Sequence, residues 1–451
     1  MKRWPAIRSV PPSVPLQSAR EAWFPVRQVS GREGILRSAA YGLLWLFVFA
    51  MPWENSLVFE GLGQVTRVLG ILTMLVGIVA VLEQGKLRRL TFGHVLVLAF
   101  VSYVSLSALW SIDVERSTLF IRTYVQVTWT AWLVWEFARD RECQTGLMNA
   151  YVAGGFVAVF LVLLDFSHAR PLRHVEQRFS AQGFNPNDLA FALAIGLPLA
   201  LYQASRPGHL GRRALCWAYL PVCTLGVALT GSRGGMVVGI AGIALCAPLL
   251  FRPARLQTTV AALALALAGA FFAARVVPEA TIARLFSARA EVAGGDLNGR
   301  EEIWREAWRS VPERPLLGAG VGAFVATDTA RLSAHNTYLN LLVEDGIVGA
   351  LLFLGILAYI FAAAMRVEGS EKVLWLAVLT SWAIGVTVAA WEAARPTWFL
   401  LAMALAAANR PGKGLVQPSV APSEAPAPGA RGGAWLPGRA FLASAVFRGR
   451  R

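Results

Sequence analysis

The chain has 451 residues, of which 56% are hydrophobic and 15% charged, with a net charge of +15. A soluble globular protein has about a quarter of its residues charged, so a soluble enzyme or soluble binding module is excluded. The basic excess reads as loop anchoring at a membrane, not as nucleic-acid binding.

Residues 1–34 are polar and basic, and the first apolar run after them reads as a membrane span, not a cleavable signal peptide. Apolar runs near the ~20 residues that a bilayer requires then follow one another along the chain. They predict about twelve spans, over 35–53, 64–82, 91–110, 117–137, 146–165, 186–203, 213–230, 234–250, 257–276, 337–364, 372–390 and 395–409. The fold class is therefore an all-α integral membrane protein. The short connectors "EQGKLRRL", "ARDRECQ", "SRPGHLGRR", "FRPAR" and "MRVEGSEK" are basic and fall on one side with the N-terminus. The positive-inside rule makes that side cytoplasmic, and the even span count returns the C-terminus to it. Residues 410–451, rich in Pro, Ala, Gly and Arg, read as a disordered tail after the membrane domain of 35–409. Cys143, Cys216, Cys223 and Cys246 show no CxxC or paired spacing, so neither a disulfide framework nor a zinc site is expected.

Two outward connections are long. Residues 166–185 carry Arg170, Arg173 and Arg178 with His168 and His174, against Glu176 alone. The longest connection, 277–335, contains "LNGREEIWREAWRSV", an amphipathic helix pattern. Asn298 caps it and Glu301 completes the capping box. Ile303, Trp304, Ala307, Trp308 and Val311 share one face, directed at the lipid surface or over a cavity.

Outward arginines run against the orientation rule and need another reason. Four basic residues stand at span boundaries. Arg178 precedes "SAQGFNPNDLA", whose Asn-Pro-Asn, ending in Asn187, opens the sixth span. Arg233 lies in "TGSRGG" between the seventh and eighth spans, Arg300 in the first turn of the loop helix, and His335 at the loop's end. A guanidinium binds phosphate bidentately, and flanking glycines let a ligand reach the backbone. "TGSRGG" thus reads either as a phosphate cradle or as a re-entry turn with a snorkelling arginine. A neutral imidazole at position 335 can take a proton from an alcohol, and nearby cations would hold it neutral. Asn336 would orient the ring or a sugar hydroxyl. Glu344 and Asp345, inside the tenth span, read either as a proton relay of a transporter or, in the favoured reading, as structural carboxylates paired with an inward-facing arginine. No acidic pair or His/Asp cluster stands on the outer side, so no metal or other cofactor is expected.

"HNTYLNLLVEDGIVGALLF" resembles the signature region of the O-antigen ligase/polymerase superfamily of bacterial inner-membrane glycosyltransferases. "RFSAQGFNPNDLA", "TGSRGG", "NGREEIW" and "PLLGAGVGAF" match its recurring patterns in the same order, so the resemblance runs from Arg178 to the end of the tenth span. It implies a GT-C-like helical membrane fold with a large helical periplasmic loop and a periplasmic active site. It implies an undecaprenyl-pyrophosphate-linked glycan as donor and, for a ligase, lipid A–core oligosaccharide as acceptor, with membrane lipids around them. The implied transfer is metal-independent and inverts the anomeric carbon. His335 matches the family's essential histidine, and Arg233 and Arg300 match arginines that hold the pyrophosphate. Arg178 is grouped with them, with Asn187 and Asn336 in support. Polymerases, which extend a lipid-linked repeat, often pair Arg-x10-Gly patterns in two outward loops. The 166–185 loop has none, while the large loop has Arg284 to Gly295 and Arg309 to Gly320, which leans towards a ligase. A lipid-linked sugar transporter is the alternative from another class, but it would place polar residues through the midplane, and here they gather at the outer boundary.

Overall fold

The computed structural model describes residues 32–168, 177–250, 271–286, 300–327 and 333–410, with single positions between 260 and 269. The N-terminal segment before residue 32, the tail after residue 410, the "FRPAR" connector, most of the ninth predicted span, Arg170, Arg173, His174, Glu176 and the Asn298 cap lie outside the described residues.

Without water to bond to, a backbone in lipid must satisfy its own polar groups, and the apolar runs do so as helices. In chain order these are α1 (Arg32–Ala50), α2 (Val65–Gln84), α3 (Phe92–Leu106), α4 (Val114–Phe137), α5 (Arg141–Ser167), α6 (Pro186–Ser205), α7 (Leu210–Thr230) and α8 (Arg233–Leu245), continued by α9 (Ala247–Leu250). Then come α10 (Glu279–Phe286), α11 (Arg300–Ser310), α12 (Phe324–Thr327), α13 (Thr337–Glu344), α14 (Gly346–Met365), α15 (Gly369–Gly385) and α16 (Arg395–Ala408). A two-stranded hairpin, β1 (Val58–Phe59) and β2 (Gly63–Gln64), joins α1 to α2.

Among the described residues seven helices are long and apolar enough to cross a membrane: Gly34–Ser56, Val65–Gln84, Phe92–Leu109, Arg141–Ser167, Pro186–Ser205, Leu210–Thr230 and Gly346–Met365. The protein is thus a multi-pass helical membrane protein. Helices also occupy the fourth, eighth, eleventh and twelfth predicted spans, but they fall short of that standard. For example, α4 is 24 residues long but carries Glu115, Arg116, Arg122 and Glu136, while α15 has 17 residues and α16 has 14.

Two predicted spans have different limits. The eleventh stops at Gly385, and residues 386–394 fold back irregularly. The tenth, predicted as one helix over 337–364, breaks into α13 and α14. Gly346 has φ +65°, a left-handed conformation that suits glycine. At the break the last carbonyls of α13 need donors, and "PLLGAGVGAF" supplies them. Ala319 N–H donates to Val343 O (2.9 Å), and Gly320 N–H to Glu344 O (2.8 Å). Ile347 N–H in turn donates to Pro315 O (2.9 Å). The expected arginine partner for Glu344 and Asp345 is corrected here. Glu344 Oε2 accepts the Gly322 N–H at 2.7 Å, and among the described residues neither carboxylate forms an ion pair with arginine. Gly346→Ala should therefore lower stability by about 1–3 kcal/mol, because its Cβ would both strain the backbone and strike Leu316 O and Gly318 N. A thermal melt of the detergent-solubilised protein no lower than that of the parent would refute this docking.

Helix α6 is the axis of the fold. Every residue from Leu189 to Ser205 is buried, and α5, α7, α8 and α15 pack around it. Four of the basic connectors meet at its C-terminal end. Arg37 donates to Gln84 Oε1 (3.1 Å), Arg88 N–H to Glu136 Oε2 (3.0 Å), and Arg206 to Thr145 Oγ1 (3.4 Å). Glu371 there receives Arg141, Arg410 and the Tyr202 hydroxyl. These four of the five connectors grouped by sequence therefore share one end of the bundle. With 20 residues, α6 is ~30 Å long, so its other end lies well away from them.

Candidate active site

The N-terminal end of α6 begins with a cap. Asn185 Oδ1 accepts the Asn187 N–H at 2.9 Å, and Pro186 occupies the first helical position, where its missing N–H costs nothing. Asn187 and Asp188 thus project from the first turn. Arg178 is buried beside them, with 3% of its surface exposed. Its guanidinium donates to Asn187 Oδ1 (2.7 Å) and to Thr230 O (2.9 Å), the last residue of α7.

The turn "TGSRGG" holds a second arginine against this one. Gly231, at φ +61°, ends α7, and Ser232 Oγ caps α8 by accepting the Gly235 N–H at 3.2 Å. Arg233 is the first residue of α8. Its Nε–H donates to Arg284 O of α10 at 2.9 Å. Thr281 Oγ1 ties α10 to Gln177 O at 2.7 Å. A Cβ at Gly231 would sit 3.3 Å from Thr281, 3.4 Å from Arg178 and 3.5 Å from Arg284, so these residues converge on the turn.

Helix α11 starts at Arg300 and packs on α13. Ile303 and Ala307 are buried with Phe324, Ala334, Leu339 and Val343, and Trp304 and Val311 join them. Trp308, expected on this face, is instead 60% exposed. The face covers α13, and Trp304 Nε1–H donates to Ala334 O at 2.8 Å, one residue before His335.

His335 itself has φ +46°, a left-handed conformation uncommon for a residue other than glycine. Bonds on both flanks fix it there. After it, Thr337 N–H donates to Val386 O (2.9 Å) and Ala389 O (3.0 Å), while Thr337 Oγ1 donates to Glu392 Oε2 (2.8 Å). Glu392 also accepts from Asn340 Nδ2 at 2.7 Å. Trp391 bonds Asp188 Oδ1 through Nε1–H (3.0 Å) and lies 4.1 Å from the Phe191 ring. Asn336 also has a local task. Its Oδ1 caps α13, accepting from Tyr338 N–H (3.0 Å) and Leu339 N–H (3.2 Å).

Burial lowers the pKa of His335 most, Arg300 lowers it further, and Asp188 opposes them. The sequence pointed to cations as the cause, and they come second. Burial likewise lowers the pKa of Arg300, followed by repulsion from Arg233 and Arg284, with Asp188 opposing. Arg178, Arg233, Arg300, His335 and Asn187 are thus brought into one neighbourhood. Sequence reasoning missed Arg284, Asp188, Trp391 and Glu392 as members. Among the described residues the four cysteines are free, and no group of three or more His, Cys, Asp or Glu side chains is arranged to hold a metal ion.

Residues 218–354 match the family model described as O-antigen ligase. An O-antigen ligase of Pseudomonas aeruginosa is 27% identical over 344 residues, covering 71% of this chain and 78% of its own length. Over this region the chain is similar to O-antigen ligases. The matched O-antigen ligase region runs from α7 into α14 and contains Arg233, Arg284, Arg300 and His335. Arg178, Asn187 and Asp188 join it from before the region, and Trp391 and Glu392 from after it.

Proposed function

We propose that this protein transfers an O-antigen glycan from undecaprenyl pyrophosphate to lipid A–core oligosaccharide. The observation that carries the reading is the gathering of Arg178, Arg233 and Arg284 at the Gly231 turn, with Arg300 beside Arg233 and Arg284 and, with Asp188, beside His335. Such an excess of half-buried positive charge suits a pyrophosphate. The acceptor hydroxyl attacks the anomeric carbon on the face opposite the pyrophosphate. The carbon–oxygen bond to the pyrophosphate breaks, the hydroxyl proton passes to His335, and the configuration inverts. The arginines stabilise the charge that grows on the leaving group, the part a divalent metal would otherwise play. Both comparisons name ligases, which supports lipid A–core as acceptor over extension of a lipid-linked repeat. The basic end of the bundle faces the cytoplasm in this reading, and the His335 end faces the periplasm across the inner membrane.

The test is reconstitution of the purified protein in liposomes with a lipid-linked glycan, lipid A–core and a chelator. The reading requires a glycosylated lipid A–core, and its absence, or movement of the donor across the bilayer without a product, would sink it. Thiol labelling from outside should reach cysteines introduced in the 300–327 segment but not in 205–213.

Because His335 acts as the neutral base, turnover falls as acid protonates it. Asp188→Asn removes the charge that favours the imidazolium, so the acid limb should move to lower pH. Arg300→Gln removes a cation that disfavours it, so the limb should move to higher pH. Measured pH–rate profiles that shift in the same direction for both variants would exclude His335 as the titrating group.

A further inference from the structure

A large cavity lies away from the arginine cluster. It measures about 530 Å³, within the range of small-molecule sites, and lies between α2, α3, α4, α14 and α16. It is lined by the C-terminal halves of α2, α4, α14 and α16 and by the start of α3, which places it at the basic end of the bundle. Its walls are almost wholly apolar, with His94 and Thr128 as exceptions beside three tryptophans of α4 and one of α16. The rim leucines Leu82, Leu87, Leu90 and Leu98 are 73%, 63%, 63% and 65% exposed, so the cavity opens to the side of the bundle.

The connector over its mouth alternates in character. Leu87 and Leu90 line the cavity, while Lys86 and Arg89 are exposed. Arg88 between them is committed to the protein. It donates to Trp135 O (2.6 Å) and Asn409 O (2.9 Å) and lies 3.7 Å over the Trp135 ring, forming a fixed roof. Trp135 itself is 2% exposed, and its indole N–H has no acceptor among the described residues. A greasy, laterally open cavity with two cations at its mouth is the shape of an amphiphile whose negative headgroup sits at the basic end.

We propose that this cavity binds one anionic diacyl phospholipid, with an acyl chain against α4 and its phosphate between Lys86 and Arg89. The site is independent of the transfer reaction. Basic residues beside a membrane span attract anionic headgroups, each contributing enough that two give roughly ten- to thirtyfold preference. The donor's isoprenoid does not explain the cations, because its pyrophosphate belongs with the arginines at the far end of α6.

The experiment is native mass spectrometry of the purified full chain in detergent supplied with equal amounts of dioleoyl phosphatidylglycerol and dioleoyl phosphatidylcholine. The parent should retain one phosphatidylglycerol with at least about a tenfold preference. Lys86→Glu with Arg89→Glu, both at exposed positions that should not disturb folding, should abolish the preference. Ala131→Phe, which fills the cavity, should abolish retention. Equal retention of the two lipids by the parent, or an unchanged preference in the Lys86→Glu/Arg89→Glu variant, would overturn the proposal. So would stoichiometric displacement of the phosphatidylglycerol by undecaprenyl phosphate, which would make the cavity an isoprenoid site. If Ala131→Phe does not fold, the charge-reversal result decides alone.

Discussion

His335→Gly should give a protein about as stable as the parent that transfers glycan at least about a hundredfold more slowly, the low end of what loss of a general base costs. The separation of the two effects comes from the backbone. His335 is held at φ +46°, where a side chain costs roughly 1–2 kcal/mol and glycine costs little. Relief of that strain offsets the packing lost with the half-buried imidazole. The bonds that fix the turn do not use the ring: Trp304 donates to Ala334 O, and Thr337 reaches Val386, Ala389 and Glu392. Strain kept at one residue by bonds on both flanks is what a site retains when it needs that side chain in that place. His335→Gln keeps a hydrogen-bonding group but cannot take a proton at neutral pH, so it should be nearly as slow. Thermal melts and transfer rates on the same preparations check both halves. Near-parental turnover by His335→Gly would remove the base from the mechanism, and a collapsed melt would make the histidine structural.

The spans and the site arginines were legible because each depends on local rules. Apolar length marks a crossing, and an arginine on the wrong side of a crossing asks for a ligand. Arg178, Arg233, Arg300 and His335 stand out as candidates by that rule, and the fold brings them into one neighbourhood. What escaped depends on contacts distant in sequence. The sequence of α13 and α14 is continuous and apolar, and nothing within it announces that Ala319 and Gly320 will dock on its carbonyls. The carboxylate of Glu344 could not be matched to Gly322 N–H without that docking. Arg284 and Asp188 lie about a hundred residues apart, and each looks ordinary until Arg233 and Arg300 bring them together. Glu392 stands in the short connector predicted between 390 and 395, and the early end of α15 at Gly385 lengthens that connector so that Glu392 reaches Thr337 and Asn340. Trp308 fits the apolar stripe of α11 by spacing, but it lies outside the cluster that α11 forms with α13 and is exposed.

The arginines should not behave alike. Arg178 spends its guanidinium on Thr230 O and Asn187 Oδ1 inside the protein. Arg178→Ala should therefore act first on stability, by about 1–3 kcal/mol for the buried carbonyl left without its donor. Arg300 sits at the start of α11, pressed by Arg233 and Arg284, a repulsion that a bound pyrophosphate would relieve. Arg300→Ala should leave the melt near the parent and lower kcat by about 10²–10³, as loss of one preorganised donor to a developing negative charge does. Arg233→Lys keeps the charge but loses the Nε–H held by Arg284 O and the paired guanidinium geometry, so it should also be damaged. If both side chains hold the same leaving group, the double variant should lose less than the product of the single losses. Full multiplicative loss would place the two arginines on separate ligands, one on the donor and one on the acceptor. Parental kcat in Arg300→Ala would leave the cluster as a structural brace, with the pyrophosphate bound elsewhere.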